Sequence, residues 1–415
     1  MPPRRRWAKR LAFALAPLLV VAAACEVVQV RRMARLARIT QAAEAASGPL
    51  LFECRWEHPV VVGAARDCNG VDVAHAAAER LFADAPVGMM TKAMLLDALE
   101  QDRPLPADVS DFVGSHGKAL AEVREAARCS WACVRDSPTT HYRRGTVDTA
   151  SDLLLFGARA AAPEECLGMA LDVMRLVQDG ETGLGSVFAN RENSRQPRRL
   201  HEARRTLLEC GRHASAAVLV QAARQTAIVA TTPPPVGDAL AADALFITTA
   251  LLEDVAQPDR ANILWLQRGP LLDLADALVA RIDTFRAYRD DELPAAFDRL
   301  AHDLPARPWV PFAGHTEGYT ALLDIPQDLR EVLRAQAHVD RDLRATAVAL
   351  AALRDRVAGG TWTDAGPAER ARPDLRDPFT GQPFGWSLGV GGPIVLAEAV
   401  GDVDAEAIGL TDPSR

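Results

Sequence analysis

Lysine is almost missing from this 415-residue chain: Lys9, Lys92 and Lys118 are three of its 47 basic residues, and the rest are arginine. Arginine for lysine is a bias of the kind GC-rich bacterial genomes produce, and it carries one functional exclusion. A phosphate loop needs a lysine behind its glycines, a strand before them and a helix after them. Neither Gly183-Leu-Gly185 nor Gly389-Val-Gly391-Gly392 has these. No long block of one charge sign is present either. The formal charge of −8 is spread along the chain, which supports solubility and argues against a DNA or RNA partner.

Catalytic and metal motifs are scarce in the same way. No His-Glu-x-x-His occurs, and His201-Glu202 lacks a second histidine at the right offset. Gly385-Trp-Ser387-Leu-Gly389 has the G-x-S-x-G spelling of a nucleophile elbow. A hydrolase of that kind needs its histidine after the serine, and the last histidine is His338. Ser387 is therefore read as a residue of a Gly-rich tail. Glu164 and Glu165 are adjacent and would diverge on a helix, so they serve as first-turn charges at a positive helix end, not as a catalytic pair.

What is present begins at the N-terminus. Arg4, Arg5, Arg6, Lys9 and Arg10 precede an uncharged run from Leu11 to Ala24, and only Glu26 interrupts the continuation to Val30. A basic flank followed by such a run is a signal-anchor pattern. Carried to Val30, it is just long enough to span a bilayer core as a helix. The expectation is an uncleaved single-pass anchor over residues 1–32 in a bacterial inner membrane, with the bulk of the chain in the periplasm. The alternatives are cleavage after Ala22-Ala23-Ala24 and lipidation at Cys25 behind a poor lipobox. Arg31, Arg32, Arg35 and Arg38 follow the segment closely, so the arginine asymmetry between its flanks is slight.

Apart from Cys25, the cysteines are Cys54, Cys68, Cys129, Cys133, Cys166 and Cys210. An even number suits disulfides in an oxidising compartment, and six allow fifteen pairings between which sequence does not choose. Cys129 and Cys133 also sit one helical turn apart, so on a helix both thiolates would meet one soft metal, with His141 as a third ligand. Against that reading, the spacing is not the Cys-x-x-Cys of zinc and redox motifs, and no second pair completes a set.

Beyond the anchor, Met33 to Ala46 reads as a continuing helix stopped by Ser47, Gly48 and Pro49. Helical periodicity dominates from Val73. Leu167, Leu171, Met174 and Val177 share one face of a helix that Pro163 and Glu164 would start, and Leu343, Ala347, Leu350 and Leu353 do so in a later one. Thr231-Thr-Pro-Pro-Pro235 cannot continue a helix, and helical period ends at Gly359-Gly360. The basic stretch holding Arg191, Arg195, Arg198, Arg199, Arg204 and Arg205 reads as a solvated helix start. The expected fold is mainly α. It is an irregular helical array without a fixed repeat, with helical domains at 33–230 and 238–358 and a small Gly/Pro-rich module with short strands at 359–415.

Two segments carry resemblances. Leu120 to Cys210, with Cys129-Ser-Trp-Ala-Cys133, Ala158-Arg-Ala-Ala and Ala170-Leu-Asp-Val-Met-Arg-Leu, resembles uncharacterised membrane-anchored helical proteins of bacterial envelopes, which implies the same placement and carries over no assigned activity. Ala345 to Leu396 is similar to the tail of type II secretion pseudopilins, through the turn Asp377-Pro-Phe-Thr-Gly-Gln-Pro-Phe384 and the apolar strand after it. That likeness implies a shared small module, since no prepilin-peptidase site precedes Leu11. Together these readings imply a non-enzymatic, membrane-tethered scaffold that binds another protein. The alternatives are a thiol-redox or soft-metal protein using Cys129 and Cys133, and an accessory component of a secretion or pilus-like apparatus.

Overall fold

The computed structural model describes residues 3–52, 56–57, 64–83, 97–101, 103, 111, 113–132, 141–180, 195–256, 268–288, 293–304, 325–389, 392–399 and 405–410. It is mainly helical. In chain order the first elements are α1 (Pro3–Phe52), β1 (Trp56–Glu57), β2 (Arg66–Asn69), α2 (Gly70–Ala83), α3 (Gly117–Arg124) and β3 (Cys129–Ala132). Then come α4 (His141–Ala160), α5 (Pro163–Gly180), α6 (Arg195–His213), α7 (Ala216–Thr231), α8 (Val236–Ala256) and α9 (Arg268–Val279). Last are α10 (Ile282–Arg286), α11 (Leu293–Asp303), α12 (Ile325–Val357), β4 (Gly385–Gly389), β5 (Gly392–Ala397) and β6 (Glu406–Gly409).

Several boundaries lie where residue chemistry puts them. Proline opens α5 and Glu164 and Glu165 fill its first turn, where the positive end of the helix favours acids. The prolines after Thr231 separate α7 from α8, and the two helices bend by 46° across that break. At the end of α12 the Gly360 N–H donates to Asp355 O and the Gly359 N–H to Arg356 O, with Gly359 at φ 90°. This is a Schellman cap, whose left-handed residue is glycine because a side chain there is strained.

Two expectations fail locally. The helix that begins at Pro3 runs on to Phe52, so Ser47, Gly48 and Pro49 do not stop it. A proline this close to the end forfeits one intrahelical donor, and a long, otherwise continuous helix absorbs that loss. The segment at Cys129 is a strand and not a helix face: β3 is the middle of a three-stranded sheet, antiparallel to β1 and parallel to β2. The tail sheet is an antiparallel meander β4-β5-β6, in line with the expected brief strands.

Two apolar cores organise the helices, and they cut the chain at different places from the domains read off the sequence. The first joins α2 through α7 with the second half of α12 (Val339 to Leu353) and with Phe384, Val395 and Ile408 of the tail. The second joins Leu36, Ile39 and Ala43 of α1 to α8, α9, α10 and α11, and to Leu329, Leu333 and Ala337 of α12. Breaks in helical pattern mark where elements end, whereas cores form between elements distant in sequence. Hence α12, 33 residues long and ~50 Å at 1.5 Å per residue, is a spine shared by both. Buried Gln336, Asp340 and Arg341 sit around the point where its two apolar stretches meet.

Candidate functional site

On α1 the chemistry changes within two turns. Val20 and Val30 are each 68% exposed, and Val21, Val27, Val28 and Met33 are exposed too. Among the described residues the only other large exposed hydrophobics are Val220 and Leu388. From Leu36 the same helix is buried against α8 and α9 through Leu36, Ile39 and Ala43. Burial of a Leu or Ile side chain contributes roughly 1.5–3 kcal/mol. The junction is also charged: Arg35 bonds Asp273 and, at 3.1 Å, Asp276, and Arg38 reaches Asp276 at 2.9 Å. The exposed valines are therefore held on a helix fixed to the body. Residues 11–19 lie in this helix, and their side chains fall outside the described set. Among the described residues no single helix is long and apolar enough to cross a membrane; the bent pair α7 and α8 passes by composition, but Leu219, Val229, Leu240 and Leu251 in it are core residues.

The basic stretch of α6 is the largest departure from expectation. Arg199 is 1% exposed and sits against the equally buried Asp152 at 2.6 and 3.1 Å, with Asp148 at 3.2 Å. Arg204, also buried, bonds Asp342 of α12 at 3.0 Å and Glu406 of β6 at 2.5 Å. Arg198 binds Glu100 and Asp97. These three arginines tie α6 to neighbouring elements and are not a solvated face; Arg191 and the side chain of Arg195 lie outside the described residues. Burial works against the charge of Arg199, yet Asp148 and Asp152 outweigh it and its pKa is raised. Burial raises Asp342, opposed by Arg204, and the Arg204 charge keeps Glu406 low despite its own burial.

A second group of buried charges lies on α5. Asp172 accepts from Arg124 of α3 at 2.6 Å, and burial raises its pKa to about 6 although Arg124 pulls it down. Arg175 donates to Gln178 at 3.0 Å, and its guanidinium lies 5.3 Å from the Trp56 ring. Burial lowers Arg175 to about 10 and raises Asp179 to about 7, each opposed by the other's charge. Buried perturbed groups mark functional sites or structural ion-pair networks. These lie inside the helix packing, and none of them lines the groove described next.

That groove runs between α7 and α12, open to solvent on one side, with a volume of ≈370 Å³. Val220, Ala223, Ala227 and Ile228 of α7 face Ala347 and Ala351 of α12 across it. The alanines make the space, because each removes the bulk that a Leu at the same core-facing position would supply. Arg224, Arg354 and Arg372 stand around the apolar floor, with Glu369 as the carboxylate of the lining. Arg354 is held by Asp355 at 2.6 Å and by Glu369 at 2.8 Å, and Arg372 by Asp374 at 2.5 Å. Among the described residues no carboxylate pairs with Arg224.

Of the cysteines, Cys68 pairs with Cys129, tying β2 to β3, and Cys166 pairs with Cys210, tying α5 to α6. Cys129 is thus bonded to Cys68 within a strand, so its sulfur is not the free thiolate a soft-metal site there would use. Cys54 and Cys133 lie outside the described residues, as does the side chain of His141, while Cys25 is free and exposed. Ser387 is in β4, opposite Ile394 in an antiparallel pair, and not on the strand-to-helix turn of a nucleophile elbow. In the motif after Arg376, Asp377 accepts from the Phe379 N–H at 2.9 Å and from Arg341 at 3.0 Å, so its carboxylate builds the turn. The groove residues carried no sequence signal, since alanines on a helix face are ordinary core. No family model, no curated protein and no solved structure matches this chain.

Proposed function

We propose that this chain is a non-enzymatic, membrane-tethered scaffold of the bacterial envelope, with its helical body in the periplasm and a protein as its partner. The observation that carries the reading is α1. A row of valines from Val20 to Val30 is exposed on a helix whose next turns are fixed by Leu36, Ile39, Arg35 and Arg38 to the second core. Soluble surfaces seldom leave contiguous apolar area open to water, and a bilayer would cover it. The two disulfides among the described residues suit an oxidising compartment. Buried guanidinium–carboxylate pairs between helices and a core that shares α12 favour a rigid body over a moving one. Rigidity and a fixed distance from the membrane are what a scaffold needs.

The test is carbonate extraction of cells expressing the full chain and a version lacking residues 1–30. The full chain should stay in the membrane pellet. The truncated chain should be released while keeping its helical circular dichroism, because Leu36 and Ile39 remain to complete the second core. Full-length protein in the carbonate supernatant would overturn the tether.

A further inference from the structure

We propose that the groove between α7 and α12 binds an anionic single-chain amphiphile, one aliphatic chain ending in a carboxylate or phosphate. Its floor is apolar, made by Ala223 and Ala227 on one side and Ala347 and Ala351 on the other. Its rim carries three guanidinium groups to one carboxylate. Of these, Arg354 and Arg372 already bond acids, whereas Arg224 is exposed and pairs with no acid among the described residues. A free guanidinium beside an apolar floor complements a ligand with an anionic head and an apolar body, and its planar fork matches carboxylate or phosphate oxygens in pairs. Val220, half exposed at one end of the floor, gives such a chain an apolar place to lie against.

Size separates this ligand from a peptide helix. From Val220 to Thr231 the lining follows α7 for ~16 Å, and a helix laid along it would need a channel ~10 Å across over that whole length. The space available is ≈370 Å³, which lies within the range of small-molecule sites. A helix could insert only its side chains there, while an extended acyl chain enters whole. The charge pattern makes the same distinction, since one unpaired cation suits one head group better than the several acids along an amphipathic helix.

The full chain is tested in detergent-free cell extract, photolabelled with a diazirine-bearing dodecanoate analogue, and the adducts are mapped by mass spectrometry. Adducts are expected in the peptides holding Val220–Thr231 and Ala347–Arg354. Dodecanoate and dodecyl phosphate should suppress them and dodecanol should not. The stronger of the two competitors shows whether a free fatty acid or a phosphorylated lipid fragment supplies the head group. Because a charge-assisted hydrogen bond is lost and a repulsion added, Arg224→Glu should cut groove labelling by about ten-fold or more. That side chain is exposed, so the fold should persist. Ala227→Trp, which fills the floor, should abolish groove labelling. Adducts spread evenly over the surface, suppression by dodecanol equal to that by dodecanoate, or unchanged labelling in Arg224→Glu would each overturn the proposal.

Discussion

Arg199 of α6 and Asp152 of α4 meet through two hydrogen bonds of 2.6 and 3.1 Å with both side chains shut away from water. The pair joins helices far apart in sequence at a depth where neither charge is tolerable alone. A buried pair need not stabilise relative to apolar residues of the same shape, but removal of one partner strands the other. Arg199→Met should therefore cost about 3–5 kcal/mol in urea unfolding. Arg199→Met combined with Asp152→Leu should recover much of that loss, leaving Asp148, which is partly exposed, to reach solvent. A single variant as stable as the parent would show that the pair is not buried as described.

Asp172 predicts a pH dependence. Burial raises its folded pKa from 3.8 to about 6, against the pull of Arg124. A carboxyl whose pKa is higher folded than unfolded binds more protons in the native state, so its contribution is fully present below about pH 4. It is lost as pH rises through about 6. The displacement is on the order of 3 kcal/mol. Asp172→Asn keeps an oxygen to accept from Arg124 and removes the titration. Between pH 4 and 7 the variant should accordingly lose less stability than the parent, by up to that amount. Parallel stability curves for the two proteins would refute the raised pKa.

The disulfides predict a specific peptide map. Non-reducing digestion should recover Cys68 linked to Cys129 and Cys166 linked to Cys210, with Cys25 alkylated as a free thiol. On the chain-entropy account, loops of 61 and 44 residues give about 4 kcal/mol each. Cys166→Ala with Cys210→Ala should then lower the urea midpoint substantially without loss of helix content. Recovery of all four as alkylated thiols from unreduced protein taken directly from cells would remove the redox-compartment reading as well.

Legibility varied with how local the cause was. Helix α5 could be read because Pro163, Glu164 and the stripe of Leu167, Leu171, Met174 and Val177 all lie within it, and all four stripe residues are buried. The breaks at Pro233 and Gly359 are likewise properties of the backbone at those residues. Arg199 could not be read, because an arginine run looks solvated until Asp148 and Asp152, on another helix, are known to face it. Cys129 misled for a related reason. Its four-residue spacing to Cys133 suggests a helical face, but pairing with β1 and β2 makes the segment a strand, and that pairing is tertiary. The groove was invisible because nothing in Ala227 or Ala351 indicates that the residue opposite is small too.

The tail offers the cleanest separation of structure from chemistry. Phe384 is 1% exposed and lies in the first core with Leu343, Leu350 and Leu353 of α12 and Val395 of β5. Its ring therefore closes the joint between the sheet and the spine. The backbone beside it is tied as well, since Arg370 donates to the Phe384 carbonyl at 2.5 Å and Arg341 bonds both Asp377 and the Glu398 carbonyl. With neighbours so fixed, the cavity left by Phe384→Ala would collapse little, and the variant should lose about 3–5 kcal/mol. Ser387, three residues on, sits in an exposed stretch of β4 opposite Ile394 of β5 in the antiparallel register. Ser387→Ala should shift the urea midpoint negligibly and change no hydrolytic activity toward a generic ester. Loss of such an activity in Ser387→Ala, with the unfolding curve unmoved, would make the serine a nucleophile and the tail a catalytic element instead of a structural one.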